Sequence, residues 1–238
     1  MRDELYTSGR YGAQHPNWHE EDAAAKAAAV ESLLRYGGVQ PLTVVDVGCG
    51  SGGVLRVLAQ RLAATWPHTH FEGWDIAKEA IRRARAHEGG QLHFVHGDFL
   101  ASERHADLLL CVDVFEHVQD DVGFLEQLAS RARWMVFRIP LDLSVWDVAR
   151  PRRLVTVGPN LGHRHVYTRE LALQRLDLAG YRVVEERYHR IRHGAPRGLD
   201  PLRSVWRRLD PHGAARWLGG VSLMVLAEPR TTSVGATE

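Results

Sequence analysis

Two cysteines, Cys49 and Cys111, are all that 238 residues contain. They sit in apolar segments with no C-x-x-C spacing, which excludes a disulfide framework and a cysteine zinc site and fits a reducing compartment. No apolar run approaches the roughly 20 residues needed to span a bilayer, and the opening MRDELYTSGR has no apolar signal core, so the expectation is a cytoplasmic protein without a membrane span. An excess of charge is also missing: 30 Lys plus Arg against 29 Asp plus Glu leave a net charge of +1. With no whole-protein field to draw in an anionic polymer or lipid, a small-molecule partner is favoured over nucleic acid. Lysine is nearly absent, limited to Lys26 and Lys78, and arginine carries the rest of the positive charge.

What the chain does have is a regular alternation. An irregular lead-in gives way near Trp18 to HEEDAAAKAAAVESLLRY, with acids in its first turn and Gly37-Gly38 at its end, the marks of a helix. Strand-like Leu42 to Val47 then runs through a glycine turn into the helix VLRVLAQRLAAT. HFEGW, QLHFVH, ADLLLCVD and RWMVFRIP follow as strands, with AKEAIRRARAH and DVGFLEQLASRA as helices between them. This spacing predicts an α/β fold of one domain, a mostly parallel Rossmann-like sheet with helices on both faces and right-handed crossovers. After Pro140 the pattern loosens, Thr168 reads as the N-cap of TRELALQRLDLAG, and YRVVEERYHR and GGVSLMVLAE read as the last strands. The expected division is a lead-in and helix over 1–38 that covers the site, a sheet domain over 39–229 with an Arg-rich insertion at 190–219, and a disordered polar tail at 230–238.

The chemistry gathers at strand ends. Gly48, Gly50 and Gly52, with Cys49 between the first two, form a turn that lets a ligand approach the backbone at a helix start. A dinucleotide site is the rival, but Asp46 precedes the first glycine by two residues and would repel a pyrophosphate. It would attract the ammonium of an amino-acid moiety instead. Asp75, ending the second strand, is placed to accept from both hydroxyls of a ribose. Asp98 and Phe99 after the third strand could meet an adenine amino group and ring. Each residue also has a plainer reading, Asp75 as a helix cap and Phe99 as core.

Taken in order, VVDVGCGSGG, GWD, HGDF and LLLCVDVFEHV resemble the successive motifs of class I S-adenosylmethionine-dependent methyltransferases, over roughly residues 40–140. The resemblance implies S-adenosylmethionine as cofactor. Asp46 and the glycine turn would hold its methionine end, Asp75 its ribose, Ile76 and Phe99 the two sides of adenine, and Asp98 the exocyclic nitrogen, with Asp113 bordering the site. It also implies a seven-stranded sheet with one antiparallel strand in the last pair.

The fourth strand ends in Asp113-Val-Phe-Glu116-His117. This resembles the E-x-x-E-H of metal-dependent ubiquinone-pathway and small-RNA O-methyltransferases, with Asp113 in place of the first Glu. On that reading Asp113, Glu116, His117 and His163 would bind a divalent cation such as magnesium and lower the pKa of an acceptor hydroxyl. Without a metal, Asp113, His117 and His165 are the candidates for catalytic acid–base work, against the plainer alternative of histidines that only hydrogen-bond their loops. Trp18, His19, Asp142 and Trp146 are candidates to roof the cofactor or line the acceptor pocket.

The function expected is methyl transfer from S-adenosylmethionine, most simply to an oxygen of a small molecule such as a sugar or secondary metabolite, by a monomer or homodimer. The Arg-rich stretch from Arg182 to Arg216 keeps an RNA methyltransferase open, and a cofactor-binding scaffold without turnover is the third reading. If Asp75 holds the ribose, Asp75→Ala should weaken S-adenosylhomocysteine binding by about tenfold or more in a calorimetric titration, in line with the loss of charge-assisted hydrogen bonds.

Overall fold

In the computed structural model, residues 18, 20–149, 155, 162–190 and 200–230 are described. The lead-in before Trp18 and the tail after Arg230 lie outside them. One turn of 3-10 helix, Glu20–Asp22, supplies three acids ahead of α1 (Ala23–Tyr36). Negative side chains there oppose the positive end of the helix dipole. The helix stops at Gly37, whose N–H donates to the Leu33 carbonyl at 2.9 Å, and Gly38 turns the chain away with φ 62°.

The strands are β1 (Thr43–Val47), β2 (His70–Asp75), β3 (Leu92–His96), β4 (Ala106–Val112), β5 (Ala132–Pro140), β6 (Tyr181–Arg190) and β7 (Val221–Pro229). Between them run α2 (Gly53–Leu62), α3 (Lys78–Ala84), α4 (Asp121–Ala129), α5 (Val145–Val148), α6 (Arg169–Leu178), α7 (Asp200–Leu209) and α8 (Pro211–Leu218). The strand order is β3-β2-β1-β4-β5-β7-β6. Pairing is parallel from β3 through to β5, and β7 enters antiparallel to both β5 and β6. The expected Rossmann-like sheet with one antiparallel strand near its edge is therefore present. Thr168 caps α6 as anticipated, accepting from the Leu171 N–H.

Because side chains alternate across a strand, each strand feeds two cores. Val44, Phe71, Phe94, Leu108, Leu110, Val136, Met224 and Leu226 pack with Leu33 and Leu34 of α1, Leu55 and Leu58 of α2, and Ile81 of α3. On the other face Val45, Leu109, Cys111, Phe137, Ile139 and Val225 pack with Leu125 and Leu128 of α4 and Leu176 of α6. Tyr181 closes this second core: its ring meets Phe137 edge-on at 5.2 Å, and its hydroxyl donates to the Leu125 carbonyl at 2.8 Å. Both cysteines are buried and unpaired. None of the described helices is long and apolar enough to cross a membrane.

β1 leads to β2 on one side, whereas β4 lies on its other side. Chain connections leave this point in opposite directions, which opens a crevice above the carboxyl ends of β1 and β4. The fold thus sets the site where the glycine turn emerges. Leu33 is fully buried between α1 and this half of the sheet. Leu33→Ala should cost about 2–5 kcal/mol, read as a lower urea midpoint with an unchanged slope.

Candidate cofactor and acceptor site

The glycine turn follows β1 directly. The N–H groups of Gly48 and Cys49 both donate to the Trp74 carbonyl, at 2.8 and 3.0 Å, so β2 anchors the turn. Gly48, Gly50 and Gly52 all have positive φ, at 76°, 56° and 79°. A Cβ on Gly48 would sit 2.7 Å from Val114, and one on Gly52 2.5 Å from the Phe94 ring. These two glycines are demanded by packing as well as by φ. Gly50 differs, because a Cβ there would meet only the Trp18 ring at 3.8 Å. It faces a space roofed by Trp18, which itself has a left-handed φ of 47°.

Asp75 closes the second side of this space. Its Oδ2 accepts from the Gly50 N–H at 2.8 Å and its Oδ1 from the Ala77 N–H at 2.7 Å. Burial raises its pKa against those two donors. Each oxygen keeps a lone pair for a further donor. Beneath the turn lies Asp46, 2% exposed, with an Oδ1 that has no hydrogen-bond partner among the described residues. Burial, and then the nearby Asp75 charge, push its pKa up to about 8. A buried acceptor without a donor is costly, and an ammonium group placed against it would remove that cost. The orphaned carboxylate, the backbone turn and the Trp18 roof fit the amino-acid and ribose parts of S-adenosylmethionine.

Other expected contacts fall differently. Phe99 is 1% exposed and packs edge-on against Trp74, with centroids 5.7 Å apart, as a core residue does. Asp98 caps the short turn after β3, its Oδ1 accepting from the Leu100 N–H at 3.0 Å. Ile76 is half-buried, and its carbonyl meets His96 Nε2 at 3.2 Å. Cys49 is buried under the turn with its thiol pKa pushed up by burial.

Asp113 stands where β4 ends, at φ 58°. Its carboxylate takes Lys26 Nζ at 2.9 Å and a hydrogen bond from Arg138 Nη1. Burial alone would raise its pKa, but the two cations outweigh burial and hold it well below the usual carboxylate range. Asp113 is therefore engaged by two side-chain cations, and the group of possible metal ligands that forms nearby, Glu116, His117 and His163, does not include it. The ligand atoms of those three lie within 4.8 Å of one another. Two imidazoles and one carboxylate suit imidazole-preferring ions better than magnesium, which takes oxygen ligands. The residues present do not fit the expected magnesium site.

Within that group the protein supplies its own partners. Glu116 is fully buried, neither of its oxygens has a hydrogen-bond partner among the described residues, and burial together with Asp113 pushes its pKa well up. It is held protonated at neutral pH. His163 Nδ1 lies 2.7 Å from Asp142 Oδ2, and its ring stands edge-on to His117 at 4.8 Å. His165 is turned elsewhere, with Nε2 at 3.0 Å from the Val118 carbonyl and Nδ1 4.0 Å from Asp121. That is a loop-holding role, the plainer of its two expected readings.

The sequence reading passed over Lys26 and Arg138. The available signal was an arginine inside the buried strand RWMVFRIP, where burial of a lone cation requires a partner. Several arginines of the basic stretch are spent within the fold. Arg182 pairs with Glu228, Arg187 with Glu185 and Ser32, and Arg207 donates to the Gly219 carbonyl. Arg192 and Arg197 lie outside the described residues.

A profile of the family described as "methyltransferase domain" matches residues 18–186. Among curated proteins, the ubiquinone biosynthesis O-methyltransferase of Hydrogenovibrio crunogenus is 25% identical over 140 residues, 55% of this chain and 52% of that protein. The trans-aconitate 2-methyltransferase of Mycobacterium sp. strain KMS is 27% identical over 130 residues, covering 53% and 49%. The chain thus spans about half the length of these relatives. Among solved structures, the magnesium protoporphyrin IX methyltransferase of Synechocystis PCC 6803 with bound SAH aligns over 95% of this chain and 96% of its own, with a TM-score of 0.61 and 17% identity.

Asp46 makes the cofactor site sensitive to pH. The unfolded chain loses this proton near pH 4 and the folded chain near pH 8, so this group's contribution to stability falls as pH rises between those values. Asp46→Asn should flatten that part of the profile. An ammonium brought against Asp46 favours its ionised form, so S-adenosylhomocysteine binding at pH 7 should release a proton. Calorimetry in buffers of different ionisation enthalpy should detect the release in the wild-type protein and lose it in Asp46→Asn.

Proposed function

The chain belongs to the class I S-adenosylmethionine-dependent methyltransferases, and from that premise we propose that it transfers a methyl group to an oxygen of a small-molecule acceptor. The observation that carries the choice of oxygen is the His163–Asp142 pair at the carboxyl ends of β4 and β5. S-adenosylmethionine, when bound, supplies an electrophilic methyl on a sulfonium. The side chains hold and orient. Asp46 receives an ammonium, Asp75 offers its remaining lone pairs to hydroxyls, and Gly50 leaves the backbone open to close approach.

On the acceptor side, Asp142 holds the Nδ1–H of His163 and stabilises the imidazolium that forms when Nε2 takes a proton from a hydroxyl. This pair, rather than His165, has the arrangement of a general base and its orienting carboxylate. His117 shares the space as a neighbour of the base. The names of the curated relatives, one an O-methyltransferase, agree with oxygen as the methylated atom. Alignment of acceptor and methyl supplies much of the remaining rate, so a modest base suffices.

Calorimetric titration with S-adenosylhomocysteine, with and without a chelator, tests the cofactor half: equal binding in both supports the reading, and no binding in either sinks it. For the chemical half, radiolabelled methyl transfer to pooled small hydroxylated compounds identifies a working acceptor. With that acceptor, His163→Ala should lower kcat by about 10²-fold and leave the Kd for S-adenosylhomocysteine within about twofold. An unchanged kcat in His163→Ala removes the proposed base.

A further inference from the structure

On the α1 side of the sheet, the upper parts of β5, β7 and β6 carry polar side chains where buried strands ordinarily carry Val or Leu. Register fixes their placement. Arg138 lies opposite Met224, while Ser222 lies opposite Pro140 on one side and His189 on the other. Met224 and Leu226 belong to the core under α1, so Ser222, two residues before Met224, shares that face. His189 shares it too, since directly opposed residues of antiparallel strands project to the same side about 5 Å apart. Arg138 sits one row lower, diagonal to Ser222. Lys26 comes from α1 to the same place, tied with Arg138 to the one carboxylate of Asp113.

Three groups in this strip lack partners among the described residues: Arg138 Nε, Ser222 Oγ and His189 Nδ1. Arg138 is 5% exposed and Ser222 is fully buried. Lys26 and Arg138 place two positive charges against a single ionised carboxylate, Asp113, and the next carboxylate, Asp46, is largely protonated at neutral pH. The strip therefore holds unmet hydrogen-bond donors and a surplus positive charge away from water, both of which are costly until something anionic meets them. His189 is only half-buried, so the strip has an opening.

The cofactor is not what meets them. The glycine turn and Asp46 belong to β1, and β7 and β6 lie three and four strands away, roughly 14 and 19 Å at the usual strand spacing. An amino-acid moiety seated at Asp46 does not extend to Ser222 and His189. We infer that Arg138, Ser222 and His189, with Lys26 beside them, form an acceptor subsite for an oxyanion, a carboxylate or phosphate group, so that the molecule methylated is an anionic one. The inference rests on the proposed methyl transfer and narrows its substrate class. Recognition divides between the two halves of the sheet: β1 and β2 read the cofactor, and β5, β7 and β6 read the charge of the acceptor.

The test uses the whole chain saturated with S-adenosylhomocysteine and probes matched in shape but not in charge: benzoate against benzamide, succinate against succinamide, and phenyl phosphate as the phosphate arm. Binding is read by calorimetry. The wild-type protein should prefer at least one acid to its amide by about tenfold or more, and the better of the carboxylate and phosphate arms names the source. Arg138→Gln should abolish that preference, and Ser222→Ala, the milder change, should weaken the acid about threefold, the size expected for one hydrogen bond. The Kd for S-adenosylhomocysteine should stay within about twofold in Ser222→Ala. Equal response to acids and amides, including none to either, overturns the inference. So does an equal loss of S-adenosylhomocysteine affinity in Ser222→Ala, which would assign the strip to the cofactor. Failure of the wild-type chain to bind S-adenosylhomocysteine is a separate result, which removes the methyl-transfer reading itself.

Discussion

The carboxylate of Asp113 is the point on which the two halves of the site depend. It stands in a left-handed backbone conformation at the end of β4, where a side chain is tolerated only if its surroundings hold it. Lys26 reaches it from α1 and Arg138 from β5, so one acid ties a helix and two strands together. Buried ion pairs add little net stability, because desolvation offsets attraction, but they are exacting about geometry. Here the geometry matters. The clasp sets the height of α1 over the sheet and so the depth of the crevice between the glycine turn and the acceptor side. It also holds Glu116, three residues further on, in a field that keeps its carboxyl protonated.

Around this clasp the two binding regions obey different physics. Near β1 and β2 the backbone does most of the work: N–H groups anchor the turn, and two glycines exist because any Cβ would strike Val114 or Phe94. Near β4 and β5 side chains dominate, with carboxyls and imidazoles in a space where water is scarce. A fold that closes all of its backbone hydrogen bonds in a sheet leaves its chemistry to be decided by the few side chains at strand ends.

That division explains what could be read from the sequence. The alternation of strands and helices, the glycine turn with Asp46, the cap at Thr168 and the late antiparallel strand were all legible, because each depends on local pattern. Phe99 was read as an adenine neighbour, yet it is core, since a phenylalanine after a strand looks the same in either role. Asp113 was read as a ligand or catalytic acid, and its engagement by Lys26 and Arg138 spans separations of 87 and 25 residues, which no local pattern encodes. His163 and Asp142, 21 residues apart, pose the same difficulty. Asp142 and His163 were each noticed alone, but only the fold brings them within a hydrogen bond.

The position of β7 has a consequence for how the protein is made. β7 is the last strand in the chain, yet it lies between β5 and β6, and Leu226 on it packs with α1 near the beginning. During synthesis, β6 emerges with no strand beside it, and the face that receives α1 is incomplete until residues 221–229 leave the ribosome. Pairings over such long sequence separations form slowly, and unpaired edges invite association with other chains in the interval. The nascent chain therefore carries an open sheet edge through most of its translation, and a late truncation would remove the middle of the sheet's antiparallel region rather than trim its border.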